Sequence, residues 1–170
     1  MVKIFWIERN WQYLDNSLKI KEMKNHIVTV ILLFFSFYGY AQGDFRKQTD
    51  EAIYQLISDY NTARENKNEE LLRSILLIDI DQLVSSGEWR RGLESAVEGM
   101  KNSSENNPGE RKLEVDQIRY LNQQNAIVDA KYTISSGDGS QRNMWSTFIV
   151  VMTPERWMIA AIRNMLPAQN

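Results

Sequence analysis

Four runs of alternating apolar and polar residues, separated by short turns, occupy the second half of the chain. They cover 112–121, 125–135, 143–153 and 156–166. A period of two sends successive side chains to opposite faces of a sheet. The interruptions are turn-forming: Asn122-Gln123-Gln124, the Gly-rich stretch from Ser136 to Ser140, and Thr153-Pro154-Glu155. Strands joined this tightly pair antiparallel, because a parallel pair needs a crossover of a dozen or more residues. The spacing predicts a four-stranded meander.

Ahead of it the period changes to 3.6. Ile53, Leu56, Ile57, Tyr60 and Ala63 make one apolar stripe, which predicts a helix over 46–65 with Arg64, Glu65 and Lys67 on its wet face. Asn68 can cap a second helix, with Glu69 and Glu70 where the dipole favours acids and Leu71, Leu72, Ile75 and Leu76 as its stripe. A third helix begins after Gly92 and buries Leu93, Ala96, Val97 and Met100, followed by a polar loop from Asn102 to Arg111 that turns at Pro108-Gly109. Helices followed by a meander give an α+β fold in one domain.

Residues 23–41 carry an address. Met23-Lys24-Asn25-His26 precedes an apolar run from Ile27 to Tyr38 that ends in Gly39-Tyr40-Ala41. A basic start, a short apolar run and a small-x-small ending form a secretory signal peptide, cleaved after Ala41. The run falls short of the about 20 residues that span a membrane. No stable membrane span then remains, and the domain, 42–170, is secreted or periplasmic. An uncleaved anchor or a buried helix is the competing reading. Residues 1–22 precede the better start at Met23 and read as a misassigned, disordered extension.

Composition closes several routes. Of 170 residues none is Cys, and the one His is His26, before the cleavage point. That excludes disulfides, thiolate nucleophiles and Cys-based metal sites, and removes the commonest general base. With 20 basic residues against 22 acidic ones, a nucleic-acid binder held by bulk charge is excluded. No Asp or Glu cluster has metal-ligand spacing, so neither a metal nor another cofactor is expected. Gly137-Asp138-Gly139 is a hairpin turn rather than a phosphate cradle, since no helix follows it. Asn102-Ser103-Ser104 fits the glycosylation sequon, a pattern common by chance.

Asp59-Tyr60-Asn61-Thr62-Ala63 through Asn68, then Gly87-x-Trp89-x-Arg91-Gly92, then Thr147-Phe148 and Trp157-x-Ile159-Ala160 carry a resemblance. In order and spacing they resemble the nuclear-transport-factor-2-like superfamily, and within it the SnoaL-like branch with its SgcJ/EcaC-type group. The likeness covers nearly all of 46–166. It implies a curved antiparallel sheet, the meander plus short strands near Gly87, wrapped around a long N-terminal helix and two shorter ones. The sheet and helices enclose a cone-shaped pocket, and many members are homodimers.

Ketosteroid isomerase, the superfamily's best-understood enzyme, combines an oxyanion-binding Tyr, a protonated Asp and a second Asp as base. The resemblance puts that Tyr on Tyr60, the base on Val84 and the protonated Asp on Ser146. A one-residue slip at Val84 offers Leu83 or Ser85 and still no carboxylate. Abstracting a proton beside a carbonyl needs a base in reach, so steroid-type isomerisation is not expected.

With strand phase set by the resemblance, Val128, Ala130, Tyr132 and Ile134 face inward, joined by Ser146, Phe148 and Val150, and by Ala160, Ile162 and Asn164. The expected cavity is mostly apolar, with Tyr60, Ser146, Asn164 and Trp89 as polar points and Tyr132, Phe148 and Ile162 as walls. Asp81 is the candidate carboxylate at the mouth, and Arg91 is preferred to Arg90 because it matches the motif. Each has a plainer role: Tyr60 as a core residue, Ser146 and Asn164 bonded to one another or to water, Trp89 as packing. The outward face carries Trp145, Thr147, Ile149 and Val151, and on the last strand Trp157 and Ile159. An apolar outer face predicts a face-to-face homodimer. Swapped faces on one strand would instead send a Trp inward.

Three functions follow. The favoured one is an exported, non-catalytic domain that binds a small apolar or amphipathic molecule. The others are an isomerase- or cyclase-type enzyme using Tyr60 and a structural or protein-binding dimer module.

Overall fold

A computed structural model describes residues 46–167; the expectations for residues 1–41 lie outside them. The chain forms α1 (46–65), α2 (Glu69–Ile75), β1 (Leu76–Leu83), β2 (Trp89–Arg91), α3 (Leu93–Asn106), β3 (Glu110–Tyr120), β4 (Asn125–Ser135), β5 (Gln141–Met152) and β6 (Trp157–Met165). No described helix is long and apolar enough to cross a membrane.

Local chemistry sets the boundaries. The Asn68 side chain accepts from the Leu71 N–H at 3.0 Å, so the expected cap is in place. Leu76 leaves the expected helical stripe, because its backbone is already extended (φ −100°, ψ 139°) and it opens β1. Gly92 takes φ 81°, a turn that a β-carbon would strain, and its N–H donates to the Ile80 carbonyl at 2.7 Å. α3 runs through the stretch expected as loop, as far as Asn106. Ser104 is what repays this extension: it turns inward and is buried.

The six strands make one sheet in the order β2-β1-β6-β5-β4-β3. The meander β3 to β6 is antiparallel as expected, and β1 joins it parallel to β6. β2 and β3 are the free edges. β3 has an irregularity between Val115 and Gln117, and charged residues such as Lys112, Glu114, Asp116 and Arg119 line its exposed side. One face of the sheet packs on the helices, where Ile53, Ile57 and Tyr60 of α1 and Ala96, Val97 and Met100 of α3 meet Val128, Phe148 and Ile162.

The phase of β6 departs from expectation. Ile149 pairs with Ala161, yet Val150 pairs with Ile159, so β6 holds an extra residue at Ala160. A bulge of this kind interrupts the alternation. Ile162 and Asn164 face inward as expected; ahead of the bulge, Trp157 and Ile159 do as well. They are 3% and 0% exposed and belong to the core, not to a dimer interface. Trp145, Thr147, Ile149 and Val151 do lie on the outer face, with Trp145 37% exposed. Lys131 lies over the Trp145 ring at 5.7 Å, and Thr147 donates to Asp129 at 2.6 Å. What remains of the expected patch is Trp145, Thr147, Ile149 and Val151, mixed with Lys131 and Asp129 and continued by Met165 opposite Trp145.

Urea denaturation separates the two tryptophans. Trp157→Ala is expected to cost about 3–5 kcal/mol, as a large core deletion does. Trp145→Ala is expected to cost about 1 kcal/mol or less. Equal losses would contradict the bulge-shifted phase.

Candidate functional site

The narrow end of the cone is filled. Tyr60 and Phe148 are 2% and 0% exposed and meet edge to face, with ring centroids 5.2 Å apart. Ile162 is buried beside them. These three expected ligand contacts are core residues.

Above them lies Arg64, one helical turn beyond Tyr60 and therefore on the same side of α1. It was expected on the wet face, but only 5% of it is exposed. Its Nη1 donates to the Tyr60 hydroxyl at 3.1 Å, and its Nε and Nη2 donate to Ser104 Oγ at 3.4 and 3.3 Å. No ion pair among the described residues includes it. Burial works against the charge, but the hydroxyls of Tyr60 and Tyr132 outweigh it and hold the guanidinium above its ordinary pKa. A buried guanidinium held by neutral hydroxyls alone keeps its positive potential largely uncancelled.

Arg64 forms part of the wall of a cavity of about 310 Å³ at the wide end of the cone. The sheet contributes Gln82 from β1, Arg90 from β2, Tyr132 and Ile134 from β4, Met144 from β5 and Asn164 from β6. Arg142 of β5 and Val84 and Ser85 after β1 form one side of the rim, and the end of α3 around Asn102 and Asn106 forms the other. Arg142 donates to Ser85 Oγ at 2.8 Å across that rim. Arg90 pairs with Glu88 at 2.9 Å and donates to Gln82 at 3.4 Å. It lies against α3 at Gly99, where a β-carbon would sit 2.3 Å from its Nε, so the missing side chain makes room for the guanidinium.

The cavity is therefore polar and rimmed by cations, not the mostly apolar hollow that strand alternation suggested. Ile134, Met144 and the Tyr132 ring are its apolar wall. Tyr132 is 4% exposed, and its buried hydroxyl lies beside Arg111, its nearest side-chain donor at imperfect hydrogen-bond geometry, with Arg64 also near. Burial pushes this phenol up, against the pull of Arg64.

Of the expected site residues, Tyr132 and Asn164 line the cavity. Ser146 Oγ donates to Asn164 Oδ1 at 2.8 Å, the plainer of its two expected roles. Trp89, Asp81 and Arg91 lie on the opposite face of the sheet. Asp81 pairs with Arg163 at 2.8 Å, and the Trp89 ring sits against Arg163 and Arg91 at 4.7 and 5.2 Å. The reason is strand phase: Gln82 and Arg90 are register partners facing the cavity, so their neighbours Asp81 and Arg91 point away. Sequence reasoning missed Arg64, Gln82, Arg90 and Arg142. The one signal for Arg64 was its four-residue spacing from Tyr60. Val84 and Ser85 do line the cavity, and its lining residues include no carboxylate.

The sequence matches no protein-family model and no curated protein. Solved structures do match in shape. An NTF-2 like protein of unknown function from Shewanella oneidensis is 18% identical, covering 68% of this chain and 98% of its own, with a TM-score of 0.60. A domain of unknown function with a cystatin-like fold from Nostoc punctiforme is 18% identical, covering 72% and 79%, at 0.65. An uncharacterized protein with a cystatin-like fold from Caulobacter vibrioides is 21% identical, covering 71% and 91%, at 0.57. Likeness at these identities establishes the fold: nuclear-transport-factor-2-like, α+β, with a six-stranded mixed sheet curved but not closed.

Two tyrosine variants test the polar cluster. Tyr60→Phe removes the acceptor of a buried guanidinium and is expected to cost about 1–3 kcal/mol. Tyr132→Phe removes a hydroxyl whose neighbouring donor, Arg111, already bonds the Gly109 and Asn107 carbonyls, and is expected to cost less than about 1 kcal/mol. Thermal unfolding of the two proteins reads the contrast, and the reverse order would contradict this arrangement.

Proposed function

We propose that this chain, a domain of nuclear-transport-factor-2-like fold, is exported and binds a small amphipathic molecule at the open end of its cone without transforming it. One observation carries the reading: a cavity of about 310 Å³ sets an apolar wall of Tyr132, Ile134 and Met144 against convergent side chains of Gln82, Arg64 and Asn164. Small-molecule sites have this makeup, and the volume falls at the small end of their range, about 300–1,000 Å³.

Binding is favoured over turnover by the chemistry of the wall. Val84 and Ser146 stand where the resemblance put the two carboxylates of a ketosteroid isomerase. Tyr60, the third member, donates no free face to the cavity: it lies in the core, bonded to Arg64. The lining thus holds cations and amides, which position an anion or a carbonyl but do not abstract a proton at neutral pH. Export rests on the basic start, the apolar run Ile27 to Tyr38 and the small residues Gly39 and Ala41. The SnoaL-like branch is supported by the order of its motifs from Asp59 to Ala160.

Native mass spectrometry of the freshly purified domain is expected to show a retained small molecule that dissociates at higher collision energy. A β,γ-unsaturated ketosteroid is expected to show no change in absorbance with the protein present. An empty domain that shows no thermal shift against amphipathic carboxylates, amides and alcohols would overturn the binding reading. Turnover of the steroid would move the chain to the enzymes.

A further inference from the structure

The charge of the cavity names the class of its ligand. Three guanidinium groups reach it, from Arg64 beneath, Arg90 at the side and Arg142 on the rim. Among the described residues Arg90 alone of the three has a carboxylate partner, Glu88. Arg142 bonds the neutral Ser85, and Arg64 bonds the neutral Tyr60 and Ser104. Neither of these two has an opposite full charge beside it among the described residues; Arg142 is exposed, while Arg64 is only 5% exposed. A buried charge whose partners are all neutral still attracts an opposite charge that comes within reach.

The opposite side of the cavity limits how much negative charge fits. The last turn of α3, around Asn102 and Asn106, lies along the wall. Helix carboxyl ends carry about half a negative charge, so they oppose a second formal charge on the ligand. Gln82 and Asn164 add neutral amides that can bond an oxygen of either kind. The apolar wall of Ile134 and Met144 leaves room for a short hydrocarbon body.

Resting on the binding function proposed above, we infer that the ligand is a monoanionic carboxylate with a short apolar body, its head held between Arg64 and Arg142. The planar fork of a guanidinium matches a carboxylate in two parallel hydrogen bonds.

Calorimetric titration with octanoate, octyl phosphate and octanol tests this on the intact domain. Octanoate is expected to bind more tightly than octanol by about tenfold or more, the usual scale of a charge-assisted bond. Arg64→Gln is expected to abolish that preference. Because Arg64 is buried, Arg142→Gln on the exposed rim serves as the second variant, and a threefold or greater loss for octanoate alone is expected. Equal binding of octanoate and octanol, or a preference that survives both substitutions, overturns the carboxylate and leaves the cavity reading standing. Tighter binding of octyl phosphate than of octanoate also overturns it, in favour of a dianion. Failure of all three probes, with an empty domain in native mass spectrometry, overturns both readings.

Discussion

The fold turns on the middle of β6. This strand is bonded to β1 on one side and to β5 on the other, and both ladders change register there. On the β5 side the extra residue at Ala160 lets Trp157, Ile159, Ile162 and Asn164 all face the same way. On the β1 side Leu76 lies opposite Ile159, while Asp81 lies opposite Ala161, so β1 carries the excess and pushes Ile78 out to 75% exposure. Two irregularities at one place bend a sheet sharply, because bulges raise the local twist. Beyond the bend Phe148 and Ile162 fill the core, and Asn164, two residues further along β6, reaches the open end.

The open end is governed by a different balance. A sheet that closes on its helices expels water from Tyr60, Phe148 and Ile162, and apolar burial stabilises that end. Arg64 marks the transition. Its stem lies over the Tyr60 ring, with the guanidinium carbon 5.9 Å from the ring centroid, and its head bonds Ser104 of α3. One side chain thus links α1 to α3 and separates the dry core from the polar cavity. Ser104 is also the third residue of the sequon at Asn102. Its burial beneath Arg64 gives that hydroxyl a structural role within α3.

Much of the architecture was legible in the sequence, because periodicity is local. The stripe on α1, the Asn68 cap and the strands from Glu110 to Met165 follow from spacing and turn chemistry. The cavity was not legible, because its residues are chosen by strand phase, and a single bulge or pairing shift reverses that phase. Arg90 and Arg91 are neighbours in sequence, yet one faces the cavity and the other the outer side of Trp89. The same parity error placed Trp157 on the surface, and Asp81, chosen as a lone carboxylate near the mouth, faces away because of the phase of β1. Arg64 escaped for another reason. Arginine is seldom buried, so its place in line with Tyr60 carried less weight than its charge.

β3 ends the sheet, and such a border is where a second chain could attach and lengthen the ladder; at Arg111 side chains of α1 already hold it, Glu65 accepting from the N–H at 2.8 Å and Asn61 donating to the carbonyl at 3.2 Å. The irregularity beside Asp116 spoils the straight template, and the fringe of Lys112, Glu114 and Arg119 would have to be dehydrated before another strand could dock. The border therefore protects each molecule from edge-wise polymerisation. It does so at a margin where the tightly connected meander leaves no chain to spare.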